Sequence, residues 1–165
     1  MSIEELIRRY EAGGGHLAKA SAEGLAVPPA LHTVVLTCMD SRLDVFALFG
    51  LQMGEVHVLR NAGGVVTDDV IRSLTISQRK LQTREVIIMQ HTSCGLSLIT
   101  EDGFKDELEQ DTGLRPPWAI EAFREVKDSV RQSVERVRRS PFVPSTDNVR
   151  GFVYDVRTAA ITEVF

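Results

Sequence analysis

Three short runs of β-branched and aliphatic residues, separated by helix-like segments, constrain the fold of this chain more than any other feature. They cover Thr33 to Thr37, Val56 to Leu59 and Glu85 to Gln90. Continuous apolar runs of this length are typical of parallel strands that are buried on both faces. Their alternation with helices predicts a single α/β domain, with a central, mostly parallel sheet flanked by helices.

Helix signals occupy the segments around these runs. A short helix over Asp44 to Phe49 is expected to stop at Gly50, and Thr67 is expected to cap a second helix with one apolar face. After a mixed polar stretch, Ile120 to Arg139 has the spacing of a long amphipathic helix. Residues 151–164 read as two terminal strands joined by a tight turn.

The N-terminal segment is distinct from this body. Its apolar residues form one stripe on a helix that is too short to persist alone, so it should dock on something, such as a partner subunit. The stripe consists of Ile3, Leu6, Ile7 and Tyr10. We therefore divide the chain into an N-terminal helix and arm (1–29) and one α/β catalytic domain (30–165).

Composition excludes several classes of partner and indicates a compartment. The net charge of -4 gives no electrostatic footprint for nucleic acid or an anionic membrane. No apolar run approaches the roughly 20 residues needed to span a bilayer, and no signal peptide is evident, so a cytoplasmic location is expected. In that reducing compartment the two cysteines, Cys38 and Cys94, indicate metal binding or catalysis rather than a disulfide.

Metal-ligating residues follow the first and third runs. Cys38 comes directly after the first run, and His91 and Cys94 follow the third. Ligands bind at the carboxyl edge of parallel sheets, so the three side chains converge if these two strands are neighbours. Two thiolates and one imidazole suit one Zn²⁺ per chain, and they leave a fourth position for water, whose pKa the metal lowers to about 7.

Asp40 and Arg42 stand beside this ligand set. A bidentate Asp40–Arg42 pair would keep the carboxylate ionised and turned away from the metal, as a catalytic acceptor of a hydrogen bond from the reacting water. If Asp40 instead coordinated the metal, the fourth position would be closed. The sequence leaves both arrangements open.

Each feature alone has a structural explanation, and their coincidence carries the functional one. A buried cysteine is often a small hydrophobe, and an exposed Asp–Arg pair contributes little. The motif RNAGG at 60–64 would let backbone N–H groups approach a ligand or zinc, although a plain strand-to-helix turn explains it equally well. We leave His16, His32 and His57 out of the metal shell, and His57 is expected to be a hydrogen-bonded structural residue.

Three motifs together resemble the β-carbonic anhydrase family. They are CMDSR at 38–42, RNAGG at 60–64 and HTSCG at 91–95, in that order. The resemblance extends over about residues 30–165, and the short chain is most similar to the compact bacterial and archaeal branch. Leu96 and Ser93 depart from the family pattern, in which a glycine and an acidic residue are common; neither is a metal ligand.

The resemblance implies specific roles for the residues singled out above. Cys38, His91 and Cys94 would bind zinc, and Asp40 and Arg42 would form the catalytic dyad that gates and orients the zinc-bound water. It also implies a homodimer or a dimer of dimers, in which the N-terminal helix packs on the neighbouring subunit.

The expected activity is the reversible hydration of carbon dioxide to bicarbonate and a proton by zinc-bound hydroxide. One alternative is hydrolysis of carbonyl sulfide or carbon disulfide at the same zinc, because the ligands do not separate these substrates. A second is a non-catalytic zinc-binding interaction module in which Asp40 closes the metal. A weaker third is a phosphate- or sulfur-transfer enzyme that uses Cys94 as a nucleophile.

Overall fold

The centre of the molecule is a five-stranded sheet flanked by helices. A computed structural model describes residues 2–14, 19 and 22–165; Gly15 and His16, in the predicted arm, lie outside the described residues. The strands are β1 (Thr33–Cys38), β2 (Val56–Asn61), β3 (Glu85–His91), β4 (Val149–Tyr154) and β5 (Ile161–Val164). The helices are α1 (Ser2–Arg9), α2 (Val45–Phe49), α3 (Asp68–Leu81), α4 (Glu101–Thr112) and α5 (Val126–Arg138).

The strand order is β2-β1-β3-β4-β5. The first four strands are parallel, and β5 is antiparallel to β4. This confirms the predicted α/β class. Because β1 and β3 are neighbours, the condition for convergence of the three predicted metal ligands is also met. The register pairs Cys38 with Asn61 and Thr37 with Met89, so the carboxyl ends of β1, β2 and β3 meet at one edge.

The main core lies between the sheet and the helices α3 and α5. Leu36 of β1 and Ile88 of β3 pack in the same cluster as Leu74 of α3 and Val130 of α5, and all four are fully buried. A second, smaller apolar cluster includes both thiols together with Leu43 and other side chains. The polar ligand residues are therefore set in an apolar surround.

The helices end and begin as predicted at Gly50 and Thr67, and Asp44, predicted within a helix, caps one instead. The Asp44 carboxylate accepts a hydrogen bond from the Ala47 N–H group (3.0 Å), and Gly50, which ends α2, has the left-handed backbone (φ 63°) that glycine permits. The Thr67 hydroxyl caps α3 by accepting from Val70 N–H. Among the described helices, none is both long and apolar enough to cross a membrane.

The predicted start of the long helix was wrong. It was placed at Ile120, but α5 begins at Val126. The Glu101 carboxylate binds the backbone N–H groups of Ile120 and Glu121 at 3.0 and 3.1 Å, and Glu121 has a positive φ of 61°. Because a right-handed helix cannot pass through that backbone conformation, residues 120–125 form a separate connection.

Three further features differ from the sequence predictions. The polar stretch before residue 116 contains α4. The sequence shows no apolar stripe for this helix, because none of its residues is buried. His91 is the last residue of β3 instead of the first residue of the following loop. Strand β2 lies at a sheet edge and is half-buried, whereas the apolar pattern predicted a fully buried strand.

Candidate metal centre

The carboxyl edge of the sheet brings together Cys38, His91 and Cys94. Their side chains are buried, with residue exposures of 4%, 1% and 3%. One ligand atom from each lies within 4.8 Å of the others, and the two Sγ atoms are 4.0 Å apart. A tetrahedral zinc with Zn–S bonds of about 2.3 Å separates two sulfur ligands by about 3.8 Å, so the observed spacing fits this ion.

The imidazole of His91 is oriented for coordination through Nε2. Its Nδ1 atom lies 2.9 Å from the carbonyl oxygen of Thr92, a contact in which Nδ1–H donates and Nε2 keeps its lone pair. Within the described residues, Nε2 is a buried atom without a hydrogen-bond partner. Metal-binding histidines commonly donate their other N–H to a carbonyl, so the donor set and the orphaned nitrogen both fit a metal ion.

The two thiols are electrostatically unequal. A hydrogen bond from Cys94 lowers the pKa of Cys38, against the effect of burial, and the neighbouring His91 and the N–H groups of Asp40 and Gly63 add to the lowering. The same contact with Cys38, together with burial, raises the pKa of Cys94. The pair therefore favours one thiolate at neutral pH, and a thiolate is the form of cysteine that binds metals.

Arg42 holds Asp40 beside the ligand cluster. Its Nε and Nη2 atoms donate to Oδ1 and Oδ2 of Asp40 at 2.9 and 2.7 Å, and Nη2 also donates to the Ser93 carbonyl at 3.2 Å. These side-chain hydrogen bonds, with a further one from the Arg42 backbone N–H, hold the pKa of Asp40 well below its usual range. Of the two arrangements that the sequence left open, the structure contains the paired one.

Oδ2 of Asp40 nevertheless remains close to the ligand cluster. It lies 3.7 Å from Nε2 of His91. The carboxylate can thus face a small molecule held among the three ligands while Arg42 keeps it ionised.

The glycines of the RNAGG motif approach the first ligand closely. Gly64 has a positive φ of 64°, and a Cβ atom there would lie 2.7 Å from the backbone nitrogen of Cys38 and 2.8 Å from the carbonyl carbon of Thr37. The Gly63 N–H group also contributes to lowering the pKa of Cys38. The close backbone approach expected from the glycines is therefore present, and it is made to a cysteine.

Sequence reasoning missed two contacts that organise the site. The guanidinium of Arg60 binds the carbonyl groups of Cys38 and Asp40, and the carbonyl of Thr92 orients His91. Arg60 could have been found, because it opens the RNAGG motif. Thr92 also lies in a motif, HTSCG, but its contact uses a main-chain carbonyl, which any residue would supply.

The histidines left out of the metal shell have other partners where the structure describes them. Nδ1 of His57 lies 2.8 Å from the hydroxyl of Ser77, which confirms its expected structural role. Nδ1 of His32 lies 3.0 Å from the carbonyl of Gln82. His16 lies outside the described residues.

Apolar side chains pack around the site and line a neighbouring cleft. Leu43, Met89 and Leu96 pack around the two thiols. Leu96 also lines a cleft of about 550 Å³, together with Met39 and Ala62. Leu96, one of the departures noted in the sequence, therefore contacts both the cleft and the apolar cluster around the thiols.

Comparisons with known proteins identify the family. The family model for carbonic anhydrase matches residues 33–116. Beta-carbonic anhydrase 1 of Mycobacterium tuberculosis (strain H37Rv) is 50% identical over 140 residues, covering 85% of this chain and 86% of the relative. A carbon disulfide hydrolase of Acidithiobacillus thiooxidans is 30% identical over 165 residues, covering 87% and 82%.

A solved structure gives the same result at the level of the fold. The crystal structure of carbonic anhydrase from Streptococcus mutans is 35% identical, and it matches with a TM-score of 0.89 over 100% of this chain and 98% of that one. The family match covers slightly more than half of the chain and includes Cys38, His91 and Cys94. Because fold, length and motif region all agree, the chain belongs to the β-carbonic anhydrase family.

Proposed function

We propose that this protein is a carbonic anhydrase, which hydrates carbon dioxide reversibly to bicarbonate and a proton at one zinc ion per chain. Cys38, His91 and Cys94 are the proposed ligands, and Asp40 and Arg42 are the proposed catalytic residues. The observation that carries the proposal is the buried convergence of three ligand atoms within 4.8 Å, beside a carboxylate that Arg42 keeps ionised.

The chemistry divides between the metal and the chain. When bound, zinc supplies a Lewis acid that lowers the pKa of a coordinated water to about 7. Asp40 accepts a hydrogen bond from the reacting water at Oδ2 and so orients its lone pairs toward the substrate. Arg42 keeps Asp40 from taking up that proton permanently, because its two hydrogen bonds favour the carboxylate form.

The surroundings suit a small apolar substrate. Leu43, Met89 and Leu96 provide an apolar wall against the ligand cluster, and carbon dioxide carries no charge or net dipole that such a wall would exclude. A 50%-identical relative named as a β-carbonic anhydrase supports this substrate over carbon disulfide, for which the named relative is 30% identical.

The test combines metal analysis with stopped-flow carbon dioxide hydration on wild type, Cys38→Ser and Asp40→Ala. We expect about one zinc per wild-type chain. Cys38→Ser should lose most of the zinc and nearly all turnover, because it removes one of three ligands. Asp40→Ala should keep zinc but lose about 100-fold in rate, the usual scale for a positioned proton acceptor. Circular dichroism on each variant verifies that it is folded.

The outcomes separate the alternatives. Stoichiometric zinc and full activity in Cys38→Ser would refute the ligand assignment. Release of sulfide from carbon disulfide or carbonyl sulfide, without carbon dioxide hydration, would assign the site to those substrates. Zinc without turnover of any of these gases would favour the non-catalytic module.

We also propose that the enzyme acts in the cytoplasm as a homodimer or a dimer of dimers. Both cysteines are free thiols, which suits a reducing compartment. The apolar stripe on α1 supports a partner subunit, since Ile3 is 72% exposed and Leu6 is 62% exposed. A cleft of about 390 Å³ on the sheet, lined by Leu31, Val35 and Phe49 among others, offers an apolar surface of the kind that such a helix could cover.

A further inference from the structure

Arg60 connects the end of β2 to the segment that carries Cys38 and Asp40. Its Nε atom donates to the Cys38 carbonyl at 3.0 Å, and its Nη2 atom donates to the Asp40 carbonyl at 2.6 Å. The two carbonyl groups lie on either side of Met39. One planar guanidinium therefore spans the first turn of the chain after β1.

The other hydrogen bonds that hold this segment go to the Asp40 carboxylate, from Arg42, and to two main-chain groups. The Met39 N–H group donates to the Asn61 carbonyl at 2.8 Å, and Leu43 N–H donates to the Asp40 carbonyl at 3.1 Å. Neither of these reaches the Cys38 carbonyl, which Arg60 binds. Among the described residues Arg60 forms no ion pair with a carboxylate, so its donors are directed to the main chain.

Small rotations of this segment would move both functional side chains. The Cys38 sulfur lies 4.0 Å from the Cys94 sulfur, and Oδ2 of Asp40 lies 3.7 Å from Nε2 of His91. A zinc site tolerates deviations of only about 0.2 Å in ligand distance. The fixed fork of an arginine can hold two carbonyl groups at once, whereas a lysine ammonium is a single flexible point charge.

We propose that Arg60 is a positioning residue for the metal centre: it fixes the Cys38–Met39–Asp40 segment so that the Cys38 sulfur meets zinc while Asp40 stays paired with Arg42. The inference rests on the zinc site of the proposed function. It adds a residue outside the ligand set, whose side-chain hydrogen bonds go to the main chain of two proposed site residues.

The test compares Arg60→Ala and Arg60→Lys with Arg79→Ala. Arg79 is a matched control because its Nε atom also donates to a main-chain carbonyl, that of Phe142, at 3.0 Å. Zinc affinity is measured by competition with a chromogenic chelator. Cobalt(II) substitution then reports ligand geometry through the thiolate-to-cobalt absorption bands, independently of activity.

We expect Arg60→Ala to bind zinc 10- to 100-fold more weakly, as loss of outer contacts to metal ligands usually does, and to change the cobalt spectrum. Arg60→Lys should be intermediate, Arg79→Ala should stay within about twofold of wild type, and millimolar guanidinium should partly restore Arg60→Ala alone. If Arg60→Ala fails to fold, the zinc affinity and cobalt spectrum of Arg60→Lys test the proposal instead.

Wild-type zinc affinity and an unchanged cobalt spectrum in the folded Arg60 variants would overturn the inference. Failure of the wild type to bind zinc would overturn it together with the proposed function. Failure of the wild type to hydrate carbon dioxide, with the Arg60 effects on zinc and cobalt present, would remove only the proposed function.

Discussion

Gly64 contributes to the metal centre because it has no side chain. Gly64 lets the turn after β2 press against the backbone of Cys38, where a methyl group would meet the main chain at 2.7 Å. Main-chain atoms cannot move aside as a flexible side chain can. The position of the first ligand therefore depends on the absence of a Cβ atom twenty-six residues later.

Replacement of Gly64 with alanine tests this dependence. We expect Gly64→Ala to lower the free energy of unfolding by at least about 3 kcal/mol, because overpacking adds to the cost of a left-handed backbone, and to reduce zinc content. Gly113→Ala is the control: φ is 74°, but nothing lies within 4 Å of the added methyl group, so it should cost about 1 kcal/mol. Equal urea denaturation midpoints for the two variants would contradict this explanation.

At the residue scale, the sequence predicts which side chains would bind the metal better than it predicts the contacts that orient them. Cys38, His91 and Cys94 are marked by their rare donor atoms and by their places after strand-like runs. The orientation of His91 by the Thr92 carbonyl is invisible in the sequence, because every residue has a carbonyl. The role of Arg60 is partly visible, since the residue lies in a motif. The carbonyl groups that it binds could not be predicted, because they depend on the pairing of β1 and β2.

Among the secondary-structure elements, α4 shows how a helix can form without an apolar stripe. It is capped by Thr100 and ends at Gly113, and none of its residues is buried. Its first residue, Glu101, binds Lys105 at 2.9 Å and the N–H groups of Ile120 and Glu121. This one carboxylate therefore attaches α4 to residues 120–125, the connection that leads into α5.

The contribution of Glu101 should depend on pH. Hydrogen bonding with Lys105, then with Ile120 N–H, lowers the pKa of Glu101 below its ordinary value of 4.5. A lowered folded-state pKa means that the carboxylate stabilises the fold fully above pH 4.5, and that this stabilisation is lost as the pH falls through the folded-state value. Glu101→Gln should therefore cost about 1 kcal/mol at pH 7, and less than that at pH 3.

Urea unfolding of wild type and Glu101→Gln at both pH values checks this expectation. Glu107→Gln, an exposed position on the same helix, should change the free energy of unfolding by less than about 0.5 kcal/mol at either pH. A wild-type-to-Gln difference that stays constant or grows toward acid pH would show that the charge of Glu101 is not what matters.

The elements that were predicted well are those with a strong local pattern. The β-branched run of β1 and the capped, one-sided apolar face of α3 each specify their structure within a few residues. The start of α5 was misplaced because Ile120 and Phe123 continue the apolar spacing of the helix. The backbone there is diverted by Glu101, about twenty residues away, and no local pattern records such a contact.

At the scale of the whole molecule, the N-terminal helix exposes apolar side chains that no packing among the described residues of the single chain explains. Ion pairs from Glu5 to Arg8 and Arg9 lie along α1, while Leu6 and Ile7 remain 62% and 53% exposed. Exposed apolar side chains repeated at helical spacing usually mark an interaction surface. The proposed partner subunit would cover them.

We expect wild-type protein to run as a dimer or larger in size-exclusion chromatography with light scattering, and Leu6→Ser/Ile7→Ser to shift toward the 18.3 kDa monomer. The physical reason is the loss of apolar area at the proposed contact. Glu4→Ser, a polar change on the same helix, should leave the mass unchanged. A monomeric wild type, or a double variant of unaltered mass, would refute the proposed role of α1.

The fold class could be predicted because a mostly parallel sheet follows from the alternation of strand-like and helix-like segments. The neighbour relation of β1 and β3 could not, because that alternation allows more than one order of strands in the sheet. The assembly could not be predicted from the residues alone. The apolar stripe on α1 could pack against the body of its own chain or against another copy. The N-terminal arm was thus identified as an element, while its destination stays a prediction.

The pairing of β1 with β3 has a consequence for how the protein matures. Cys38 and His91 are far apart along the chain and become neighbours only when these two strands join, so an unfolded chain presents no ready cage for the ion. Free energy released on metal capture accordingly goes to the assembled sheet alone. Bound zinc should therefore raise the free energy of unfolding, and its removal by a chelator should lower the urea denaturation midpoint.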